Sequence, residues 1–176
     1  MACDLTLFRD EPCKDIVGGI DKLYFVNYGD VTPATVTYDV TNTDVIDAVS
    51  GTPSAYEYEV KDATSFTQNI QSDRSTGTTV FEQVLEVTLK KLSVADHKEL
   101  KLMAWGRPHV IIKDNNGNYF LAGFEHGMDV TGGTIVTGAA MNELSGYTLT
   151  LTGMERTPAN FLGDTPATVG FTVVNS

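Results

Sequence analysis

Residues 145–153 read Ser-Gly-Tyr-Thr-Leu-Thr-Leu-Thr-Gly. Tyr147, Leu149 and Leu151 alternate with Thr148, Thr150 and Thr152, the period of a β-strand with one apolar face and one hydroxyl face that carries no charge. Residues 79–91, Thr-Val-Phe-Glu-Gln-Val-Leu-Glu-Val-Thr-Leu-Lys-Lys, repeat the pattern at greater length. There Phe81, Leu85, Val87 and Leu89 share one side, and Glu82, Glu86, Thr88 and Lys90 share the other. Each stretch asks for a core on one side only, as antiparallel strands do.

Outward from these two, residues 23–28, 34–40 and 55–60 carry β-branched or aromatic residues at period two between Gly, Pro, Asp and Ser. One helix is expected after residue 92: Ser93 is placed as its N-cap with Asp96 three residues on, Leu100, Met103 and Ala104 form its apolar stripe, and Gly106 ends it. Residues 109–113 and 118–124 flank Asn116-Gly117, the pair that favours a tight type I′ hairpin turn. Residues 41–54 and the Gly/Thr-rich 130–138 read as long connections, and 157–167 as a loose linker. The apolar residues 170–174 then read as a terminal strand that docks on its own domain or on a neighbour.

The 176 residues suit a single domain with its own core, and 41% hydrophobic against 20% charged residues is a globular balance. No apolar run is long enough to span a membrane, and the N-terminal residues lack the pattern of a secretory signal, so residence inside a cell is the expectation. Cys3 and Cys13 have no third ligand near them and read as reduced thiols. The net charge of −11 argues against a surface that grips phosphate, since affinity for nucleic acid comes from Lys and Arg displacing counterions. The acidity is also segregated: residues 26–60 and 114–155 contain no Lys or Arg.

Catalytic signatures are missing from the chain. His97, His109 and His126 are scattered over a helix, a strand start and a loop. Glu125, His126 and Asp129 lie close in sequence, but without a second His at ligand spacing they read as a turn with solvated charges. Gly132, Gly133 and Gly138 lack the strand-to-helix setting of a phosphate loop and read as bends. Trp105, the sole tryptophan, reads as a core plug and, in the alternative, as a sugar platform. No enzyme activity, metal or cofactor is expected.

The run FEQVLEVTLKKLSVADHKELKLMAWGRPHVIIKDNNGNYFLAGFEHGMDVTGG, continued by TGAAMNELSGYTLTLTGMERTPANFL, resembles structural proteins of tailed bacteriophages, notably crAss-like and related phages of Bacteroidota. The order of long strand, helix, tight hairpin and amphipathic strand is similar to that of tail-tube proteins. The resemblance spans about residues 66–162, with residues 1–20 left as an N-terminal arm and 163–176 as a C-terminal extension of a single domain. It implies a mainly β fold, an antiparallel sandwich or split barrel with one flanking helix. It also implies a virion protein, made in the host cytoplasm, that forms a homo-oligomeric ring in the tail or neck beside other tail or neck proteins. Phage DNA would pass through without specific binding, and no membrane is involved.

A bore for a polyanion suits acids and neutral hydroxyls, because a ring of cations would hold the passenger. Glu82 and Glu86, or Thr148, Thr150 and Thr152, are accordingly the candidates to line the channel. The polar residues 68–78 are expected as a loop that reaches a neighbouring subunit, with Gln68, Asp73 and Arg74 as contact candidates. The alternatives are a head-decoration or connector-adaptor protein, a β-sandwich carbohydrate-binding module, and, last, an enzyme centred on Glu125, His126 and Asp129.

Overall fold

The computed structural model describes residues 7–11, 13–60 and 63–175. Its elements are β1 (Ile20–Val26), β2 (Val36–Tyr38), β3 (Val45–Val49), β4 (Ser54–Glu59), β5 (Ser65–Asp73), β6 (Thr78–Lys90), α1 (Val94–Trp105), β7 (His109–Asp114), β8 (Tyr119–Ala122), β9 (Asp129–Val136), β10 (Gly146–Glu155), β11 (Asn160–Leu162), α2 (Pro166–Val169) and β12 (Thr172–Val174). They form a four-stranded sheet, β5-β6-β10-β9, and an eight-stranded sheet, β12-β4-β1-β7-β8-β11-β3-β2. The fold is mainly β, a sandwich with one flanking helix and no closed barrel among the described residues.

Between the sheets lies one core, in which Leu23, Phe25, Val110 and Ile112 meet Leu85, Val87, Tyr147 and Leu151, with Leu100 and Met103 of α1 closing the side. Each such buried side chain contributes roughly 1.5–3 kcal/mol relative to exposure. A second core on the far face of the large sheet gathers Tyr24, Val26, Ile111 and Leu121 with Ile46, Val49, Leu162, Val169 and Phe171. Both faces of β1 and β7 are therefore covered, so the apolar runs in residues 23–26 and 110–112 are continuous rather than alternating. α2 ties the two ends of the large sheet together: Gly170 has φ +120°, and a Cβ there would stand 2.3 Å from the Val49 carbonyl oxygen, a position only glycine fills.

α1 begins as its sequence dictates, with Ser93 Oγ accepting from Asp96 N at 3.1 Å. The β7–β8 turn is not the expected type I′: Gly117 has φ +87° but Asn116 is not at positive φ, and Gly117 N donates to Asp114 O at 3.2 Å, so the turn runs from Asp114 to Gly117. Asp114 holds it, its Oδ1 accepting from the Asn116 and Asn118 amides at 3.0 and 2.7 Å. Residues 170–174 dock on their own domain, β12 pairing in parallel with β4. The segment expected as a C-terminal extension thus supplies Val169 and Phe171 to the second core.

Four stretches expected as connections contain elements. Residues 41–54 hold β3, 130–138 fall mostly in β9, 157–167 include β11, and most of the expected loop 68–78 is the second half of β5. β5 and β9 are edge strands with little buried area, so their sequences carry few of the apolar residues that mark a strand. Trp105 is 76% exposed and is no core plug; Lys101 Nζ sits 4.7 Å from its ring centroid. Cys13 is an exposed free thiol, and Cys3 lies outside the described residues. Among the described residues no helix is long and apolar enough to cross a membrane.

Candidate functional site

Register in the four-stranded sheet joins what the sequence left as two separate faces. Thr148, Thr150 and Thr152 of β10 stand opposite Thr88, Glu86 and Val84 of β6, and Met154 stands opposite Glu82. Directly paired residues share a side of a sheet, so all five channel candidates lie on one outer surface. β5 extends it with Ser65, Thr67, Asn69, Gln71 and Asp73, and β9 with Thr134 and Asp129. The cation on these paired positions is Lys90, at the end of β6.

Polar groups on this surface are largely engaged with one another. Thr134 pairs with Thr148 at 2.5 Å and Thr131 with Thr152 at 3.0 Å. Gln71 Nε2 donates to Glu82 Oε2 at 3.1 Å. Side-chain ladders of this kind stiffen a sheet and leave few donors turned toward solvent.

The same sheet ends in β5 on one side and β9 on the other. Residues 69–79, the distal part of the β5–β6 hairpin, are exposed throughout and extend beyond the core. There Ile70, opposite Phe81 on the core-facing side, is 70% exposed. At the other edge Ile135, opposite Tyr147, is 58% exposed and borders an apolar groove of about 290 Å3 between β9 and α1, floored by Leu100, Val130 and Leu149. A bulge at Thr131 interrupts β9, leaving Gly132–Val136 in regular register.

The three contact candidates have distinct surroundings. Gln68 faces the core side of β5, and its Oε1 accepts from Ala159 N at 2.8 Å, an internal bond. Asp73 folds back on the hairpin turn, accepting from the Ser75 hydroxyl and amide at 2.7 Å each; these bonds lower its pKa. Arg74 lies in the turn itself, exposed.

Sequence reasoning missed a buried polar node beneath the sheet. Glu155, 3% exposed, accepts from the Glu125 and His126 amides at 3.2 and 2.9 Å. Glu125, His126 and Glu155 present ligand-type atoms within 4.8 Å of one another, whereas Asp129 belongs to the outer face opposite Thr152. The backbone amides account for the buried carboxylate without any ion. Gln83 accepts from Gly123 N at 2.8 Å, and His109 is fixed as the neutral Nδ1–H tautomer, donating to Gly123 O at 2.6 Å and accepting from Gly29 N at 3.3 Å. Burial lowers the His109 pKa against the opposing pull of the Gly123 carbonyl, Glu155 and Asp30. Parity was the available signal: Gln83 and Glu155 fall on the apolar side of the alternation in β6 and β10.

Compared with protein-family models, curated proteins and solved structures, the chain matches none.

Proposed function

We propose that this chain is a structural subunit that closes into a ring, a segment of the tail or neck of a tailed bacteriophage through which the genome passes. The observation that carries the reading is a sheet whose outer surface is predominantly acidic and hydroxylated, with Val80, Val84 and Met154 among its members, and whose edge strands β5 and β9 pair with no further strand among the described residues. The strand order β5-β6-β10-β9 is antiparallel throughout, so β9 runs opposite to β5. A neighbouring copy rotated about an axis near the strand direction can then lay its β5 on β9 and continue the antiparallel alternation, a heterologous contact that closes. Ile70 of one copy would enter the groove beside Ile135 of the next, removing two exposed apolar side chains from water.

Closure would bring the outer surfaces of the sheets together around a bore. Duplex DNA carries about one charge per 1.7 Å, and contacts in a ring multiply with subunit number, so a lining of Glu82, Glu86 and mutually bonded threonines avoids retention. Light scattering on concentrated protein, with negative-stain imaging, tests the reading. Annuli or short tubes are expected, and a lone protomer at every concentration would count against it.

A second reading, a carbohydrate-binding module, is favoured by one observation: Trp105, Tyr28 and Tyr56 are 76%, 43% and 42% exposed. It requires glycan-array signal from a monomer.

A further inference from the structure

The described residues of the N-terminal arm, 7–11 and 13–19, join neither core although they include four large apolar side chains. Residues 7–11 and 13–19 are exposed, with Leu7 at 89%, Phe8 at 84%, Ile16 at 71% and Val17 at 60%. Exposed neighbours of this size ask for a partner surface. Among its described residues the arm is tied down at its root: Val17 N donates to Asn116 Oδ1 at 3.0 Å, Asn116 Nδ2 donates back to Val17 O at 2.7 Å, and Asn115 Nδ2 donates to Gly18 O at 2.8 Å.

A surface of matching character lies at the other end of β1. A cleft of about 290 Å3 opens between β4, the end of β1 and the C-terminal half of α1, lined by Tyr28, Tyr56, Tyr58, Leu102, Glu99 and Arg107. Tyr28, Tyr56 and Leu102 are 43%, 42% and 49% exposed. The β1–β7 register separates the two features: Ile20 pairs with Asp114 at the arm root, and Val26 with His109 at the cleft. Along a strand that is about 20 Å.

We propose that the arm of one copy docks, through Leu7 and Phe8, in the tyrosine cleft of a second copy stacked end-on along β1. Donor and acceptor sit at opposite ends of the same strand, so a translation along β1 brings the arm of one copy to the cleft of the next. Such a contact is heterologous and repeats without closing. The charges agree: Arg9 and Asp10 follow Phe8, and the cleft wall offers Glu99 and Arg107. Arg107 is held 4.1 Å from the Tyr28 ring centroid, in place to meet an acid from the arm. The proposal rests on the assembly reading for its stacking direction, and joins copies along the stack where the β5 and β9 edges would join them around it.

The test is cysteine trapping in full-length protein carrying Cys3→Ser and Cys13→Ser. Phe8→Cys protein mixed with Leu102→Cys protein under mild oxidation is expected to give a disulfide-linked pair containing one of each. Its yield should be roughly tenfold above that from Phe8→Cys mixed with Val40→Cys, because docking raises the local thiol concentration. Val40 is fully exposed and reports random collision. Equal yields, or no linked pair, overturn the docking. So does intrachain closure of a Phe8→Cys/Leu102→Cys protein at high dilution, which would place the arm on its own cleft. Annuli without linked pairs would remove the arm contact and leave the ring, whereas linked pairs without annuli would keep the contact and remove the ring.

Discussion

Glu86 stands directly across from Thr150 in the β6–β10 ladder. The acidic row of the long strand and the hydroxyl row of β10 are consequently one surface, and a substitution in either changes the same environment.

Charge reversal tests that surface. Glu82→Lys with Glu86→Lys should keep the fold and the assembled mass at a stability cost of about 1 kcal/mol, since Glu86 is exposed while half-buried Glu82 loses the bond from Gln71. If the surface lines a bore, genome ejection from particles carrying the variant should slow or stall and become dependent on salt, read as DNA release over time. Wild-type ejection kinetics would exclude these glutamates from the lining.

Edge blocking tests ring closure separately. Ile70→Lys on β5 and Ile135→Lys on β9 place a charge at the two open edges, a common device against strand addition. Each variant alone should sediment as a protomer with an unaltered far-ultraviolet circular dichroism spectrum. Rings that persist in both would show that these edges do not meet.

Glu155 tests the buried node. Glu155→Ala removes the acceptor of the Glu125 and His126 amides and should cost about 2–3 kcal/mol in urea unfolding, the range for bonds to a charged group. Glu155→Gln keeps one acceptor oxygen and should cost less. Equal, small losses in both would mean that the turn finds other partners.

His109 gives a pH signature. Its unfolded imidazole titrates near 6.5, and burial holds the folded one below that value. The unfolded chain therefore takes up the proton first as pH falls, so the contribution of the neutral ring is complete above pH 6.5 and is lost progressively below it. The urea midpoint should drop from pH 7 to pH 5, and His109→Gln should flatten part of that slope. An identical slope in the variant would place the pH sensitivity elsewhere.

The strongest local signals were legible because local physics carries them. Alternation in residues 79–91 and 145–153 fixes which side of β6 and β10 is buried, Ser93 and Asp96 start α1, and the β7–β8 hairpin falls where Asn116-Gly117 marks it, though its turn spans Asp114–Gly117 instead of centring on that pair. The edges were not legible. β5 and β9 cover little of the core, so Gln, Asn, Thr and Gly suffice there and their composition is that of loops.

What the sequence determined by itself is the two-sidedness of the long strands, the helix and the hairpin, each a property of neighbours within a few residues. Only the tertiary structure decided that Glu82, Glu86 and the three threonines share a face, that Asp129 leaves Glu125 and His126 while Glu155 joins them, and that Thr172–Val174 pair with β4. Strand order and register come from contacts between residues far apart in the chain, and a periodic pattern says which side of a strand is apolar without saying which strand lies beside it.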